Sequence, residues 1–262
     1  MSSTTAIDSK PIFAPAVFDH FERAVARTLE RDGLALDPEG TSCLLRHLIE
    51  AEGVDSPSGR SLLRTSGIRQ RWNDVFAVSR AEMLAHWLEP WVTHAGRVLD
   101  LLAGDCLLTG RLADTAGIRI AAVERLDHYP LITRHSAVEL IPYERLEANP
   151  GAVGADTVLL AAVLHHENRP TSLRDVALRT GAHRFIVVEN CLDSDNDPDF
   201  HLLMDLFYNR CLNDFGSACT REHRTPDGWR QLLVSFGTLL HFDELPTVPG
   251  LPFPYQLMVF QR

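Results

Sequence analysis

A change of hydrophobic period near residue 96 constrains the fold more than any other feature of the chain. Before it, apolar residues recur only at helical spacing. Phe18, Phe21, Val25 and Leu29 share one face, and Leu44, Leu45, Leu48 and Ile49 mark a second helix. "SPSG" at 56–59 reads as a break after that helix. Met83, Leu84, Trp87, Leu88 and Trp91 form a third amphipathic stretch, expected to end near Pro90. Residues 1–15, rich in Ser and Thr with two prolines, read as a loose arm.

After residue 96, short apolar runs alternate with helical stretches. "RVLDLLA" (97–103), "IRIAAVE" (118–124), "AVELIPYE" (137–144), "ADTVLLAAVL" (155–164) and "HRFIVVEN" (183–190) read as strands, and "TLLHFDEL" and "PYQLMVFQ" as two more near the end. Helices are expected over "TGRLADTAG", "HYPLITRH", "PTSLRDVALRTG" and "PDGWRQLLVSFG". Gly117 and Gly181 supply stops, and Thr225-Pro226 supplies a start. Strands alternating with helices of this length predict an α/β protein with a mostly parallel, seven-stranded sheet and helices on both faces. The expected organisation is an N-terminal helical cap over 1–95 and a sheet domain over 96–262. The segment 191–225 is too long for an ordinary connection and reads as a helical insertion.

Composition narrows the partners. The net charge is −10, with 25 basic against 35 acidic residues, and Lys10 is the sole lysine. No basic block offsets this, so neither nucleic acid nor an anionic membrane is an expected partner. No run of 18 apolar residues occurs, and the first twenty residues lack a secretory h-region. The five cysteines show no C-x-x-C spacing, which fits reduced thiols in a cytoplasmic protein. No metal site is expected, since neither H-x-x-x-H nor a two-histidine, one-carboxylate spacing stands out. Oligomeric state is not readable.

The chemistry concentrates at "RVLDLLAGDCLLTGRLAD" (97–114), where a buried strand ends in a small-residue corner and a helix follows. In open parallel sheets ligands bind beyond the carboxyl ends of the strands, beside the first strand. That places Asp100 to Thr109 at a site. Glu124, ending the second strand 24 residues after Asp100, is placed to accept hydrogen bonds from ribose hydroxyls. The spacing G-x-G-x-x-G is absent, which argues against a nicotinamide dinucleotide.

"VLDLLAGDCLLTGRLA" resembles motif I of class I S-adenosylmethionine-dependent methyltransferases, V-L-D-L-G-x-G-x-G. Leu102 stands at the first glycine place, Gly104 at the second and Cys106 at the third, and Asp100 matches the motif's acid. "DTVLLAAVLHH" (156–166) resembles motif IV, where the fourth strand ends beside the sulfonium and the substrate. The resemblance covers about residues 80 to 262. It implies a Rossmann-like sheet of the small-molecule, natural-product type, with S-adenosylmethionine as cofactor. It also implies cofactor contacts from Asp100, Leu102, Ala103, Gly104, Glu124, Arg125, Ala161 and His165.

Four further residues are candidates for catalysis. His165, in "VLHHEN", is a candidate general base with an ordinary pKa near 6.5; equally, it and His166 serve to cap a strand end. His201, Asp205 and Tyr208 fall at i, i+4 and i+7 on one face of the insertion, either as acceptor-orienting groups or as a solvated polar face. His223 and Arg224 precede a helix, and Arg224 is a candidate carboxylate clamp or a loop ion pair.

Three functions fit these residues. The first is methyl transfer to an O, N or C atom of a small molecule in specialised metabolism. The second is cyclisation or lysis of S-adenosylmethionine itself, giving azetidine-2-carboxylate and methylthioadenosine. The third is a binding protein that keeps the fold without catalysis.

Overall fold

The structure, a computed structural model, describes residues 13–125, 132–192, 197–213, 215, 217–245 and 248–262. The expected arm lies almost wholly outside them. The helix expected over 128–135 lies partly outside them, and its described part, 132–135, forms no helix.

Seven strands form one sheet: β1 (Val98–Leu101), β2 (Ile120–Glu124), β3 (Val138–Pro142), β4 (Thr157–Ala161), β5 (Arg184–Asn190), β6 (Thr238–Leu245) and β7 (Tyr255–Gln261). Their order is β3-β2-β1-β4-β5-β7-β6. β1 to β5 run parallel, and β7 runs antiparallel to both β5 and β6. The strand order reverses between β1 and β4, which opens a crevice at their carboxyl ends. This is the seven-stranded, mostly parallel α/β sheet that the alternating period predicts.

The period-two alternation of buried side chains assigns each face its helices. Leu99, Leu101, Val158, Leu160, Phe185, Val187, Met258 and Phe260 pack with α7 (Tyr143–Ala148), α8 (Pro170–Arg179) and α10 (Pro226–Leu233). Val98, Ile120, Leu159, Ile186, Val188, Leu257 and Val259 pack with α5 (Arg80–Val92) and α6 (Leu107–Ala116). α5 continues through Pro90 to Val92 rather than ending at the proline. It buries Leu84, Ala85, Leu88 and Val92 against the sheet, so this helix of the N-terminal region is part of the sheet layer.

α1 (Pro15–Arg31), α2 (Pro38–Glu52), α3 (Pro57–Thr65) and α4 (Ile68–Asn73) build a separate core around Phe21, Leu29, Leu45 and Trp72. The insertion joins it. α9 (Pro198–Leu206) and the π-turn Phe207–Leu212 that follows contribute Phe200, Leu203, Phe207 and Leu212 to the same cluster. Cap and insertion are thus one apolar body.

"SPSG" starts a helix rather than merely breaking one. Ser56 caps α3, its Oγ accepting from Gly59 N at 2.9 Å while donating to Glu52 Oε2 at 2.6 Å. Pro57 opens the first turn, where its missing N–H costs nothing. Thr225 caps α10 in the expected way, accepting from Gly228 N at 3.2 Å. No helix among the described residues is long and apolar enough to cross a membrane.

Candidate active site

A cavity of about 370 Å³ opens at the carboxyl ends of β1, β2 and β4. Its floor is the corner after β1. Its roof comes from the π-turn Asp74–Ser79, the first residues of α5 and the α9 segment.

The corner keeps a glycine-like backbone without most of the glycines. Leu102, Gly104 and Cys106 have φ of 60°, 63° and 62°. For a non-glycine residue this left-handed conformation costs about 1–2 kcal/mol. Ala162, just past β4, has φ 57°, so the three described non-glycine residues with positive φ all flank the crevice. Such strain persists where the surrounding structure over-determines it, which is typical of functional sites.

Hydrogen bonds hold the corner. Gly104 N donates to Glu124 Oε2 at 2.6 Å, and Arg125 N donates to Glu124 Oε1 at 2.6 Å. Each carboxylate oxygen keeps a further lone pair, and Glu124 lines the cavity. Burial pushes its pKa up to about 7, against the two backbone donors that lower it. Asp100 points to the α6 face and accepts from Thr109 Oγ1 at 2.5 Å. Burial raises Asp100 to about 6. Ala103 N donates to Val123 O at 3.0 Å, tying the corner to β2. Arg125 braces the wall, pairing with Glu167 at 2.6 Å and lying over the Tyr143 ring. Leu102, Ala103, Gly104, Arg125 and Ala161 all line the cavity.

The fourth strand delivers His165 on the short turn Leu164–His166. Its Nδ1 meets Glu189 Oε2 at 2.7 Å, while Glu189 Oε1 accepts from Val163 N and Leu164 N at 2.9 and 2.6 Å. Burial holds His165 well below its ordinary range, as a neutral imidazole, and pushes Glu189 above its own. The His165 Nε2 then turns to Asp205, whose Oδ1 lies 3.8 Å away. His166 Nδ1 bonds Ala218 O of the insertion at 2.7 Å and lies 3.4 Å from Asp205 Oδ2, and the side chain lines the cavity.

The insertion splits its three candidates. Asp205 and Tyr208 line the cavity, with the Tyr208 ring 4.4 Å from Phe76. His201 does not line it; the side chain is fully buried and stacks on Phe253 at 4.0 Å. Burial pushes its pKa down to about 2. His201 and Asp205 share the regular helix α9, but the packing of Phe200 and His201 on Phe253 turns His201 into the roof; the π-turn begins only after both, at Phe207.

Several cavity residues carry no motif. Arg80 is half-buried against the Phe76 and Tyr255 rings, each 5.1 Å away, and its Nε donates to Tyr255 Oη at 3.0 Å. It lines the cavity. Glu189, the partner of His165, stood in "HRFIVVEN" as a carboxylate inside an apolar strand. A buried charge of that kind is a signal the strand itself offered. Arg80 offered none.

No protein-family model matches the chain, and none of the curated proteins matches it. Solved structures do match in fold. The [4+2]-cyclase SpnF aligns over 69% of this chain and 80% of its own, at 11% identity and a TM-score of 0.50. A Burkholderia thailandensis 1,6-didemethyltoxoflavin-N1-methyltransferase with bound S-adenosylhomocysteine aligns over 98% and 93%, at 15% identity and a TM-score of 0.49. Human N-acetylserotonin methyltransferase in complex with S-adenosylmethionine aligns over 94% and 67%, at 18% identity and a TM-score of 0.46. At these identities the likeness is one of fold, and the fold is the Rossmann-like one.

Proposed function

We propose that the cavity binds S-adenosylmethionine and that the protein is an enzyme using it on a small molecule, by methyl transfer to an O, N or C acceptor. The observation that carries this reading is the left-handed corner Leu102-Ala103-Gly104 with Glu124 hydrogen-bonded to its backbone. It presents a buried carboxylate, with lone pairs to spare, where a ribose would offer two hydroxyls. The residues fit the remainder of such a ligand. Arg80 supplies a half-buried cation for the α-carboxylate, and the Phe76, Tyr208 and Tyr255 rings supply faces for a sulfonium. The bound group supplies an electrophilic methyl; the protein supplies alignment and exclusion of water. His165, expected as a base of ordinary pKa, is instead held by burial as a weakly basic neutral imidazole; oriented by Glu189, its Nε2 accepts a hydrogen bond from an acceptor hydroxyl or amine, and Asp205 beside it is placed to take the proton.

A second reading rests on the cavity's size. About 370 Å³ is near the lower end of the ~300–1,000 Å³ usual for ligand pockets, so S-adenosylmethionine would leave little room for an acceptor. In that case the ligand's own α-amine attacks its Cγ, the Cγ–sulfur bond breaks, and azetidine-2-carboxylate and methylthioadenosine leave. The amine's proton passes to a base such as Asp205.

Incubating the pure protein with S-adenosylmethionine alone distinguishes the two. Methyl transfer predicts no turnover until a small nucleophile is added, and then S-adenosylhomocysteine. Cyclisation predicts methylthioadenosine without any addition. Absence of S-adenosylmethionine binding by calorimetry would sink both.

A further inference from the structure

At the wall of the cavity, three elements distant in sequence bring together two imidazoles and a carboxylate. His165 follows β4, Asp205 ends α9, and His223 precedes α10. One donor atom from each lies within 4.8 Å of the others. We propose that these three residues form a binding site for a divalent transition-metal ion. The proposal does not rest on S-adenosylmethionine binding; a bound ion would take the His165 Nε2 and Asp205 atoms given above as proton acceptors, so those roles belong to the metal-free protein.

Two observations beyond the clustering support it. The first is His223, which is 5% exposed and has no hydrogen-bond partner on either ring nitrogen among the described residues. A buried imidazole left unpaired is costly, because its polar atoms lose water and gain nothing. Ligation of a metal would satisfy it. The second is the way His165 is held. Its Nδ1 is committed to Glu189 at 2.7 Å, and Glu189 is fixed by two backbone donors. That carboxylate–imidazole pair sets the tautomer, with the proton on Nδ1 and the lone pair on Nε2. Metal-bound histidines are oriented in this way by outer carboxylates. The free lone pair faces Asp205 at 3.8 Å.

The donor set selects the class of ion. Neutral imidazoles with one carboxylate suit Zn²⁺, Co²⁺ and Fe²⁺ better than Mg²⁺ or Ca²⁺, which prefer all-oxygen shells. Metal–ligand distances near 2.1 Å put tetrahedral donors about 3.4 Å apart, so the ion would draw the three residues inward slightly. His165 and Asp205 line the cavity, which leaves the remaining coordination positions facing it. The sequence hides the set because its members are 40 and 18 residues apart, far from any ligand spacing on one element.

The test uses the full chain, stripped with chelator, and Co²⁺ and Zn²⁺ as probes. One Co²⁺ per chain is expected, with ligand-field absorption that Zn²⁺ displaces. X-ray absorption of the Zn²⁺-loaded wild type should show two imidazoles, oxygen donors and no sulfur. His223→Gln and Asp205→Asn should abolish stoichiometric binding while circular dichroism stays native. Glu189→Gln should weaken it roughly 10- to 100-fold. Cys43 Sγ and His47 Nδ1, 3.6 Å apart on the exposed face of α2, are the obvious adventitious site. Binding that shows sulfur scattering and disappears in Cys43→Ser would overturn the proposal. So would a wild-type chain that takes up neither ion. Because the uptake and absorption measurements use the wild type, they decide the matter even if the cluster variants fail to fold.

Discussion

At the scale of single residues, Glu124 is where the proposed ligand and the protonation of the corner meet. Its carboxylate already accepts two backbone donors at 2.6 Å, which fixes its orientation before any ligand arrives. Glu124→Ala is expected to weaken S-adenosylmethionine binding ten- to a hundredfold, since charged hydrogen bonds contribute roughly 1.5–3 kcal/mol. Isothermal calorimetry reads this directly, and an unchanged dissociation constant would refute the assignment. The pH dependence has a definite sign. Burial raises Glu124 to about 7, so near pH 6 the carboxyl is mostly protonated. Two hydroxyl donors favour the carboxylate, so binding lowers its pKa and releases a proton. Affinity should rise from pH 6 to 8 and level off above. The calorimetric enthalpy should change with the buffer's ionisation enthalpy near pH 7. Stability moves the other way. A carboxyl raised by folding stabilises the native state fully below its unfolded pKa near 4.3, and that contribution is lost as pH rises through about 7. Asp100, raised to about 6, adds to the same trend. His165, His201 and His223, held neutral by burial, bind fewer protons folded than unfolded and give the opposite slope below about 6.5, so the Glu124 contribution is read as a difference: the Tm of the wild type minus that of Glu124→Gln should fall as pH rises from 5 to 7.5.

At the scale of elements, helix starts explain more of the architecture than helix propensities do. Six of the ten described α-helices carry a proline in the first turn: α1, α2, α3, α8, α9 and α10. Read as a breaker, the proline of "SPSG" ends a helix; read with the serine before it, it begins one. Ser56 is fully buried and joins the end of α2 to the start of α3 through Glu52 and Gly59. Ser56→Ala should therefore cost about 1–2 kcal/mol, or roughly 2–8 °C in Tm for a chain of this length. Ligand affinity should not change, because the cap lies outside the cavity lining. A thermal melt paired with calorimetry checks both halves. The strands were legible because a two-face burial leaves continuous apolar runs, as in "DTVLLAAVL". The π-turns were not. Asp74–Ser79 and Phe207–Leu212 have no compositional marker, yet they carry Phe76 and Tyr208 into the roof. His201 parts from Asp205 for another reason: both lie in regular α9, and His201 is drawn away by stacking on Phe253.

At the scale of the molecule, the corner and Glu124 could be read from sequence because they are local, one strand-turn-helix and the end of the next strand. Arg80, Glu189 and His223 reach the site only through topology, and no spacing encodes that. The roof's hold on the sheet is of the same kind. It is fastened near Gly250, on the way into β7. Trp72 Nε1 donates to Gly250 O at 2.8 Å, and Arg31 reaches Leu251 O and Val248 O, each at 3.2 Å. Gly250 has φ 74°, and a Cβ placed there would lie 2.7 Å from Phe76 Cβ. That contact is with the stem of a side chain, close to backbone, and cannot relax by rotation. Gly250→Ala therefore combines left-handed strain with a push on the π-turn that bears Phe76, a cavity-lining residue. Val248 and Leu251, on either side of Gly250, pack with the sheet core of the α5–α6 face, so the strain also reaches that edge of the core; the fold should survive with a loss of about 1–3 kcal/mol. The roof, displaced as one apolar body, should close less well over the cavity. The expected result is weaker S-adenosylmethionine binding without any change at Glu124, together with faster amide exchange in 68–80 and 200–212. Exchange confined to the 248–254 loop, with native affinity, would show that the roof is not held in place through Gly250.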